Sequence, residues 1–253
     1  MTLTRTLACA LSLGMMTTLS FAQPTPASAP NPVKTTTPPA SEETTTEEAK
    51  PKIATIGKAA PAFALKDTKG KNHQLSDFAG KFVVIEWFNP GCPYCRGIYD
   101  EGVVEDTIKH MKAIDSDAVY LAINSTANQP KEFVITQSDE FMTKQEMEDI
   151  PVLLDYDGAV GHIYEAKVTP HMYLINPEGV LIYAGAITDD RNFDKGNKAT
   201  NYVVNAARRS ASKETVSPAT VRPWGCGVKN PAVMGDRGDR RRGGKRGGGK
   251  GTP

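Results

Sequence analysis

Apolar, β-prone runs alternate along this chain with segments of helical composition. The run at 82–88 is apolar almost throughout, which is typical of a central strand covered on both faces. A turn at Thr68–Lys71 between two short β-prone segments predicts a hairpin. The other strands are predicted at 118–123, 152–154, 172–175 and 180–183, and the helices at 93–113, 131–149, 158–166 and 200–210, the first of them weakened at Gly102.

This order of elements predicts an α/β fold. Strands and helices that alternate favour a mixed central sheet with helices on both faces, and the hairpin 63–75 is expected as an N-terminal extension at one edge.

The two ends of the chain have different compositions from the middle. Residues 1–22 combine Arg5, an apolar run and a small-residue cleavage pattern, which predicts a signal peptide and export to the periplasm or outside the cell. Residues 23–52 are rich in Pro, Thr and Glu and are expected to form a disordered linker, and residues 230–253 a Gly/Arg-rich basic disordered tail. One domain, 53–229, remains.

Composition excludes several classes of protein. The 253 residues hold 30 Lys and Arg against 29 Asp and Glu, a net charge of +1, which argues against a protein whose whole surface binds nucleic acid and predicts no specific nucleic-acid partner. Attraction of the basic tail to an anionic surface or nucleic acid stays open as an alternative to a solvated tail. No apolar stretch of 18 residues follows the N-terminus, so we expect membrane attachment only if the signal segment is left uncleaved. After cleavage, three of the four cysteines remain, Cys92, Cys95 and Cys226, in a compartment where disulfides persist.

The chemistry concentrates at Cys92-Pro93-Tyr94-Cys95, directly after the central strand. If the helix starts here, Pro93 suits its first position and Cys92 becomes the N-cap, where the helix dipole favours a thiolate. Cys95, one turn along, falls within the roughly 4.4–6.8 Å Cα separation of a disulfide. Cys92 is thus the candidate nucleophile and Cys95 the resolving cysteine. Redox chemistry is favoured over a zinc site because no second C-x-x-C or paired His follows.

Four ordered segments resemble the thioredoxin-fold redoxins of the AhpC/TSA superfamily, between TlpA/ResA-like proteins and peroxiredoxins. These are Gly57–Lys71, Leu75–Phe88, the C-P-Y-C element and Val168–Asn176. The resemblance covers about residues 53–186. It implies a thioredoxin-like fold and a thiol-disulfide oxidoreductase that needs no cofactor beyond the Cys92–Cys95 disulfide and no metal.

The resemblance also assigns roles to residues around the dithiol. It implies a cis bond at Thr169–Pro170, which would leave the Thr169 backbone free to pair with an extended substrate, and Pro93 and Tyr94 are expected to line that substrate site. Glu86 matches the buried acid that relays a proton to the resolving cysteine; the alternative is a solvated carboxylate at the end of the sheet.

Departures from the family pattern keep alternatives open. A peroxiredoxin needs Pro seven residues before its peroxidatic cysteine and Thr or Ser three residues before it. Counted back from Cys92, these positions hold Ile85 and Asn89. Peroxide reduction is therefore the second interpretation, and a non-catalytic thioredoxin-like binding module is a third. The Cys92/Cys95 spacing argues against a copper-delivering Sco-like role, which His162 and His171 leave open.

The remaining histidines have simpler interpretations: His73 and His110 are read as surface residues and His171 as a wall of the substrate groove.

Residues 223–229 resemble a C-terminal element of related redoxins in which Trp224 anchors the segment to the domain. Cys226 is either a third redox thiol able to pair with Cys92 or an inert buried cysteine.

The sequence thus predicts a monomeric, exported enzyme that exchanges electrons with a protein or small-molecule disulfide. The motifs do not identify the electron donor or acceptor that restores the protein after each reaction. They also do not give the direction of electron flow.

Overall fold

The computed structural model describes residues 53–229. The signal segment 1–22, the linker 23–52 and the basic tail 230–253 lie outside the described residues. Within 53–229 the elements follow in this order: β1 (Ala64–Lys66), β2 (Asn72–Gln74), β3 (Val83–Trp87), α1 (Pro93–Asp100), α2 (Val103–Ile114), β4 (Val119–Asn124), α3 (Lys131–Lys144), β5 (Val152–Leu154), α4 (Ala159–Ile163), β6 (Val168–Thr169), β7 (His171–Ile175), β8 (Leu181–Gly185), α5 (Tyr202–Ala211) and β9 (Cys226–Gly227).

A five-stranded mixed sheet in the order β5-β4-β3-β7-β8 forms the centre of the domain. The apolar strand β3 is its middle strand, parallel to β4 and antiparallel to β7. β5 continues the parallel half, and β8 returns antiparallel to β7. The prediction of a mixed central sheet is confirmed.

The side chains of β3 alternate between two apolar layers. Val84 and Phe88 face the layer formed by α1, α2, α3 and α5, whereas Ile85 and Trp87 face the layer that contains α4 and Phe63. All five residues of β3 are buried, which explains why the strand is apolar on both faces. The predicted helices on both faces are confirmed, and Glu86 points into the first layer.

Three predicted helices differ from the observed ones because of backbone geometry: one is divided and two end earlier. The segment 93–113 is divided into α1 and α2 at Gly102, whose φ of +70° interrupts the helix. The helix predicted to end at 149 stops at Lys144, because Glu146 turns the chain with a φ of +56°. α4 likewise ends at Ile163, just before Glu165 with a φ of +52°.

The hairpin β1–β2 forms a separate antiparallel pair beside β5, to which it is linked by a bridge between Asp67 and Leu153. Its position at one edge agrees with the prediction. The prediction that His73 is a surface residue is wrong: its ring is buried, lies 2.8 Å from the Asp67 carboxylate and stacks on Phe78. In the part of the chain that the structure describes, no helix is long and apolar enough to cross a membrane.

Candidate active site

Cys92 and Cys95 lie at the start of helix α1, directly after the turn that follows the central strand β3. The intervening turn is held by Asn89, whose side-chain oxygen accepts from the Gly91 N–H at 2.7 Å and whose amide donates to the Thr126 hydroxyl at 3.1 Å. As the sequence predicts, Cys92 is the N-cap of α1 and Pro93 its first residue. Cys95 is therefore the third residue of the helix, one turn from Cys92.

Cys92 lies among groups with opposite effects on its ionisation. Its side chain is only 2% exposed and, in the thiol form, its Sγ donates to the Thr169 carbonyl at 3.0 Å; both features favour the neutral thiol. Hydrogen bonds from the Cys95 thiol, then from the Cys226 thiol and the Cys95 backbone N–H, outweigh burial and lower the pKa of Cys92 to about 4. A thiolate at this position is the nucleophile that disulfide exchange requires.

Cys95 has the opposite properties. It is fully buried, and burial together with the neighbouring Cys92 and Glu86 raises its pKa well above the ordinary value. Cys95 therefore keeps its proton and donates it in a hydrogen bond to the Cys92 sulfur. The three cysteines of the described residues, Cys92, Cys95 and Cys226, are all free thiols.

Glu86 is a buried acid beneath the dithiol. Its Oε2 accepts hydrogen bonds from the hydroxyls of Tyr99 and Tyr120, both at 2.9 Å, whereas Oε1 accepts none from the described residues. Burial raises the pKa of Glu86 to about 7, against the lowering effect of the two tyrosines and the nearby Cys95 thiol. The alternative of a solvated carboxylate at the end of the sheet is wrong. Neither tyrosine was singled out from the sequence.

The Thr169–Pro170 bond is cis, as expected. The expectation that the Thr169 backbone is free is wrong, because β6 pairs antiparallel with β9, which places Cys226 opposite Thr169 and Gly227 opposite Val168. The edge expected to receive a substrate is thus occupied by the chain's own C-terminal segment. The sequence did not reveal this, since nothing in residues 223–229 specifies which strand they join.

The C-terminal segment is fixed on both sides of Cys226. The Trp224 indole N–H donates to the Thr188 carbonyl at 3.1 Å, which makes Trp224 the expected anchor. On the other side, Val228 is buried and its N–H donates to the Lys167 carbonyl at 3.1 Å. At Gly225, with a φ of +142°, an added Cβ would overlap the Thr169 carbonyl, so only glycine permits this approach.

The residues between the two cysteines do not line an open groove together. Pro93 is exposed, but the Tyr94 ring is partly buried, with its centroid 5.9 Å from that of Trp224. The Arg191 guanidinium donates to the Tyr94 hydroxyl at 2.8 Å and lies 5.2 Å from the ring centroid. Tyr94 therefore helps to seat the C-terminal segment beside the dithiol.

Cys226 completes a cluster of three thiols. It is partly exposed, and burial, followed by the neighbouring Cys92, raises its pKa to about 11. Cys226 is therefore a protonated donor to the Cys92 sulfur, and it is not buried as one interpretation expected.

The histidines lie outside this cluster. His171 is buried and contacts the Tyr173 hydroxyl at 2.9 Å, so it belongs to the core and not to a groove wall; burial, then Lys167, lowers its pKa to about 3. His110 is partly exposed and His162 exposed. Among residues 53–229, no group of three His, Cys, Asp or Glu side chains is arranged to hold a metal ion.

The sheet order, the cis proline and a dithiol at the start of α1 define a thioredoxin-like protein. Residues 56–184, just over half of the chain, match the AhpC/TSA family, and the chain belongs to that family. The redoxin identified from the sequence is thereby confirmed.

One relative is similar to this chain in sequence, and two solved structures are similar to it in fold. The chain is 29% identical over 143 residues to the thiol-disulfide oxidoreductase ResA of Bacillus subtilis (strain 168), which covers 56% of this chain and 74% of that protein. A hypothetical protein of Sinorhizobium meliloti 1021 has the same fold, with a TM-score of 0.59 and 22% identity over 72% of this chain and 98% of its own. An uncharacterized conserved protein of Geobacillus kaustophilus gives the same TM-score and identity over 70% and 93%.

The buried Glu86 should leave a signature in the pH dependence of stability. Because the pKa of Glu86 is about 7 in the folded chain and 4.5 when unperturbed, the folded state retains a proton that the unfolded state has lost between these values. This group therefore lowers the free energy of unfolding as pH rises through that window, by about 3 kcal/mol in all. Glu86→Gln has no such proton to lose. We therefore expect its free energy of unfolding, relative to that of wild type, to be about this much higher at pH 8 than at pH 4.5, measured by denaturation of the reduced chains. Any destabilisation by the glutamine amide that does not depend on pH cancels when the stability difference between variant and wild type is compared at the two pH values. A stability difference that is the same at both pH values would contradict the assigned pKa.

The close packing at Gly225 should control access to Cys92. We expect Gly225→Ala to push β9 away from Thr169, because the new Cβ cannot share the space of the Thr169 carbonyl. The rate at which iodoacetamide alkylates Cys92 should then rise, measured by peptide mass mapping. Gly179→Ala is the control, since it also lies at positive φ but has open space around it. Equal alkylation of Cys92 in both variants would show that β9 does not shield the sulfur.

Proposed function

We propose that this protein is a thiol-disulfide oxidoreductase that works through the Cys92–Cys95 pair. The observation that supports it is the contrast within that pair: Cys92 has a pKa of about 4 at the start of α1, and Cys95, one turn along, keeps its proton. A dithiol with one ionised and one protonated sulfur can attack a disulfide and then release the product.

The reaction proceeds in two exchanges. The Cys92 thiolate attacks one sulfur of the partner's disulfide and forms a mixed disulfide, while the partner's other sulfur leaves as a thiolate. Cys95 then gives up its proton and attacks the Cys92 sulfur, which releases the partner's second thiolate and closes the Cys92–Cys95 disulfide. The partner's disulfide is reduced to two thiols, the protein's dithiol is oxidised, and the reverse sequence oxidises a partner.

Glu86 acts as the proton relay in the second exchange. Its carboxyl lies near Cys95, it has one oxygen free of hydrogen bonds, and its pKa of about 7 suits a group that accepts and returns a proton near neutral pH. Tyr99 and Tyr120 position the carboxyl through its other oxygen.

We place this activity outside the cytoplasm, on the basis of the signal pattern at 1–22 and because disulfides persist there. The partner is a protein or small-molecule disulfide, the protein acts as a monomer, and a second thiol or disulfide partner restores the dithiol. Peroxide reduction is disfavoured, because Asn89 stands where a peroxiredoxin has a hydroxyl and its side chain is engaged in the turn.

A single-turnover reaction with oxidised glutathione tests the proposal. The reduced wild type should form the Cys92–Cys95 disulfide, seen by peptide mass mapping, and release two glutathione thiols. Cys92→Ser should react at least about 100-fold more slowly, because neither remaining thiol is appreciably ionised near neutral pH.

Two outcomes would contradict this function. One is a Cys92→Ser variant that consumes oxidised glutathione as fast as wild type. The other is a wild-type dithiol that hydrogen peroxide oxidises while oxidised glutathione does not, which would favour a peroxidase.

A further inference from the structure

The C-terminal strand covers the dithiol in the way that a bound substrate strand would. β9 is paired antiparallel to β6, with Cys226 directly opposite Thr169. Thr169 is also the residue whose carbonyl contacts the Cys92 sulfur at 3.0 Å. A cysteine of the chain itself is thus presented to Cys92 on the edge where the cysteine of a substrate was expected.

Exposure differs sharply among the three thiols. Cys92 is 2% exposed and Cys95 is 0% exposed, whereas Cys226 is partly open to solvent. A sulfur that approaches from outside therefore meets Cys226 before it can reach Cys92. Strand β9 is fixed to the domain on both sides of Cys226, by the hydrogen bonds of Trp224 and Val228.

We propose that β9 is a built-in substrate strand and that Cys226 is the sulfur through which the buried Cys92 exchanges disulfides with outside partners. The inference rests on the proposed exchange chemistry at Cys92 and adds a third catalytic thiol to it.

The relay conserves atoms and electrons. Starting from the Cys92–Cys95 disulfide, Cys226 loses its proton and its sulfur attacks Cys92; the Cys92–Cys95 bond breaks, and Cys95 leaves and takes up a proton. This step moves the disulfide to Cys92–Cys226 without net oxidation. An outside dithiol then attacks the Cys226 sulfur and expels the Cys92 thiolate, and its second thiol attacks the mixed disulfide and releases Cys226. The outside dithiol is thereby oxidised to a disulfide, and Cys92 and Cys95 are reduced to thiols.

The pKa values of the sulfurs favour the exchange between the Cys92–Cys226 disulfide and the outside dithiol. The better leaving group in a Cys92–Cys226 disulfide is Cys92, with a pKa of about 4 against about 11 for Cys226, so attack on the exposed Cys226 sulfur is the favoured direction. In the oxidised protein the Cys92 sulfur carries no charge, which removes one of the causes that raise the pKa of Cys226. Cys226 therefore ionises more readily when its attack is needed.

A trapping experiment tests whether the two sulfurs form a bond. Reduced Cys95→Ala, mixed with one equivalent of oxidised glutathione, should yield the Cys92–Cys226 disulfide by peptide mass mapping, with both glutathiones released. The control Cys95→Ala/Cys226→Ala should retain one glutathione on Cys92. Glutathione retained on Cys92 in the single variant, with no Cys92–Cys226 disulfide, overturns the inference.

A kinetic experiment separates an exchanging sulfur from a hydrogen-bond donor and from a lid. The oxidised wild type is reduced with dithiothreitol, and Cys226→Ala and Cys226→Ser are compared with it. Both variants should react at least about tenfold more slowly, because neither can take part in exchange, although Ser keeps a donor for the Cys92 sulfur.

Other outcomes overturn the inference. Restored rates in Cys226→Ser would reduce Cys226 to a positioning residue, and faster reduction of Cys226→Ala would make β9 a lid. The two proposals can fail separately. If oxidised glutathione does not convert the wild type to the Cys92–Cys95 disulfide, the proposed function is wrong. If the wild type forms that disulfide but Cys95→Ala forms no Cys92–Cys226 disulfide, only the relay through Cys226 is wrong.

Discussion

The Cys92 sulfur is held as an anion in a place from which water is largely excluded, and the rest of the site is arranged around that constraint. An isolated buried thiolate would be unfavourable, so its stability depends on donors supplied by the protein: the Cys95 thiol, the Cys226 thiol and a backbone N–H of the first turn of α1. Two of these donors belong to Cys95 in α1, and the third is supplied by β9. The turn at Asn89 sets where α1 begins, and β9 brings Cys226 to the same sulfur.

The same constraint distributes charge among the neighbours. Burial is the main reason why the pKa of both Cys95 and Glu86 is raised, and the negative charge on Cys92 raises both further. Protons are therefore held next to the Cys92 sulfur, as the proposed exchange would require. Tyr99 and Tyr120 hold the carboxyl in place through one oxygen and leave the other free, which fits a group that exchanges a proton.

Local sequence signals predicted the parts of this arrangement that depend on local structure. The apolar run of β3, the proline at the start of α1 and the spacing of Cys92 and Cys95 each specify their own geometry through strand burial or helix capping. Glu86 could be placed because it lies on the strand that leads directly to Cys92. Its two tyrosine partners could not, since Tyr99 and Tyr120 meet the carboxyl only once α1 and β4 have packed on one face of the sheet. Helix ends at Glu146 and Glu165 were also missed, because positive φ at a non-glycine residue has no reliable sequence signal.

The pairing of β9 with β6 is the clearest case of information that local sequence lacks. A two-residue strand far along the chain from its partner is specified by its anchors, Trp224 and Val228, and by the absence of a side chain at Gly225. That pairing changes the interpretation of Thr169 from an empty docking edge to one already occupied.

The most direct test of this account is the ionisation of Cys92 itself. Thiolate absorbance near 240 nm, recorded for the reduced protein as pH is lowered from 8 to 3 and referenced to Cys92→Ser, isolates this one sulfur. The account predicts that the Cys92 thiolate persists at pH 6 and is protonated around pH 4. Thiolate absorbance of Cys92 that is already weak at pH 8 and lost by pH 7, as an ordinary thiol pKa of about 8.5 would give, would contradict it.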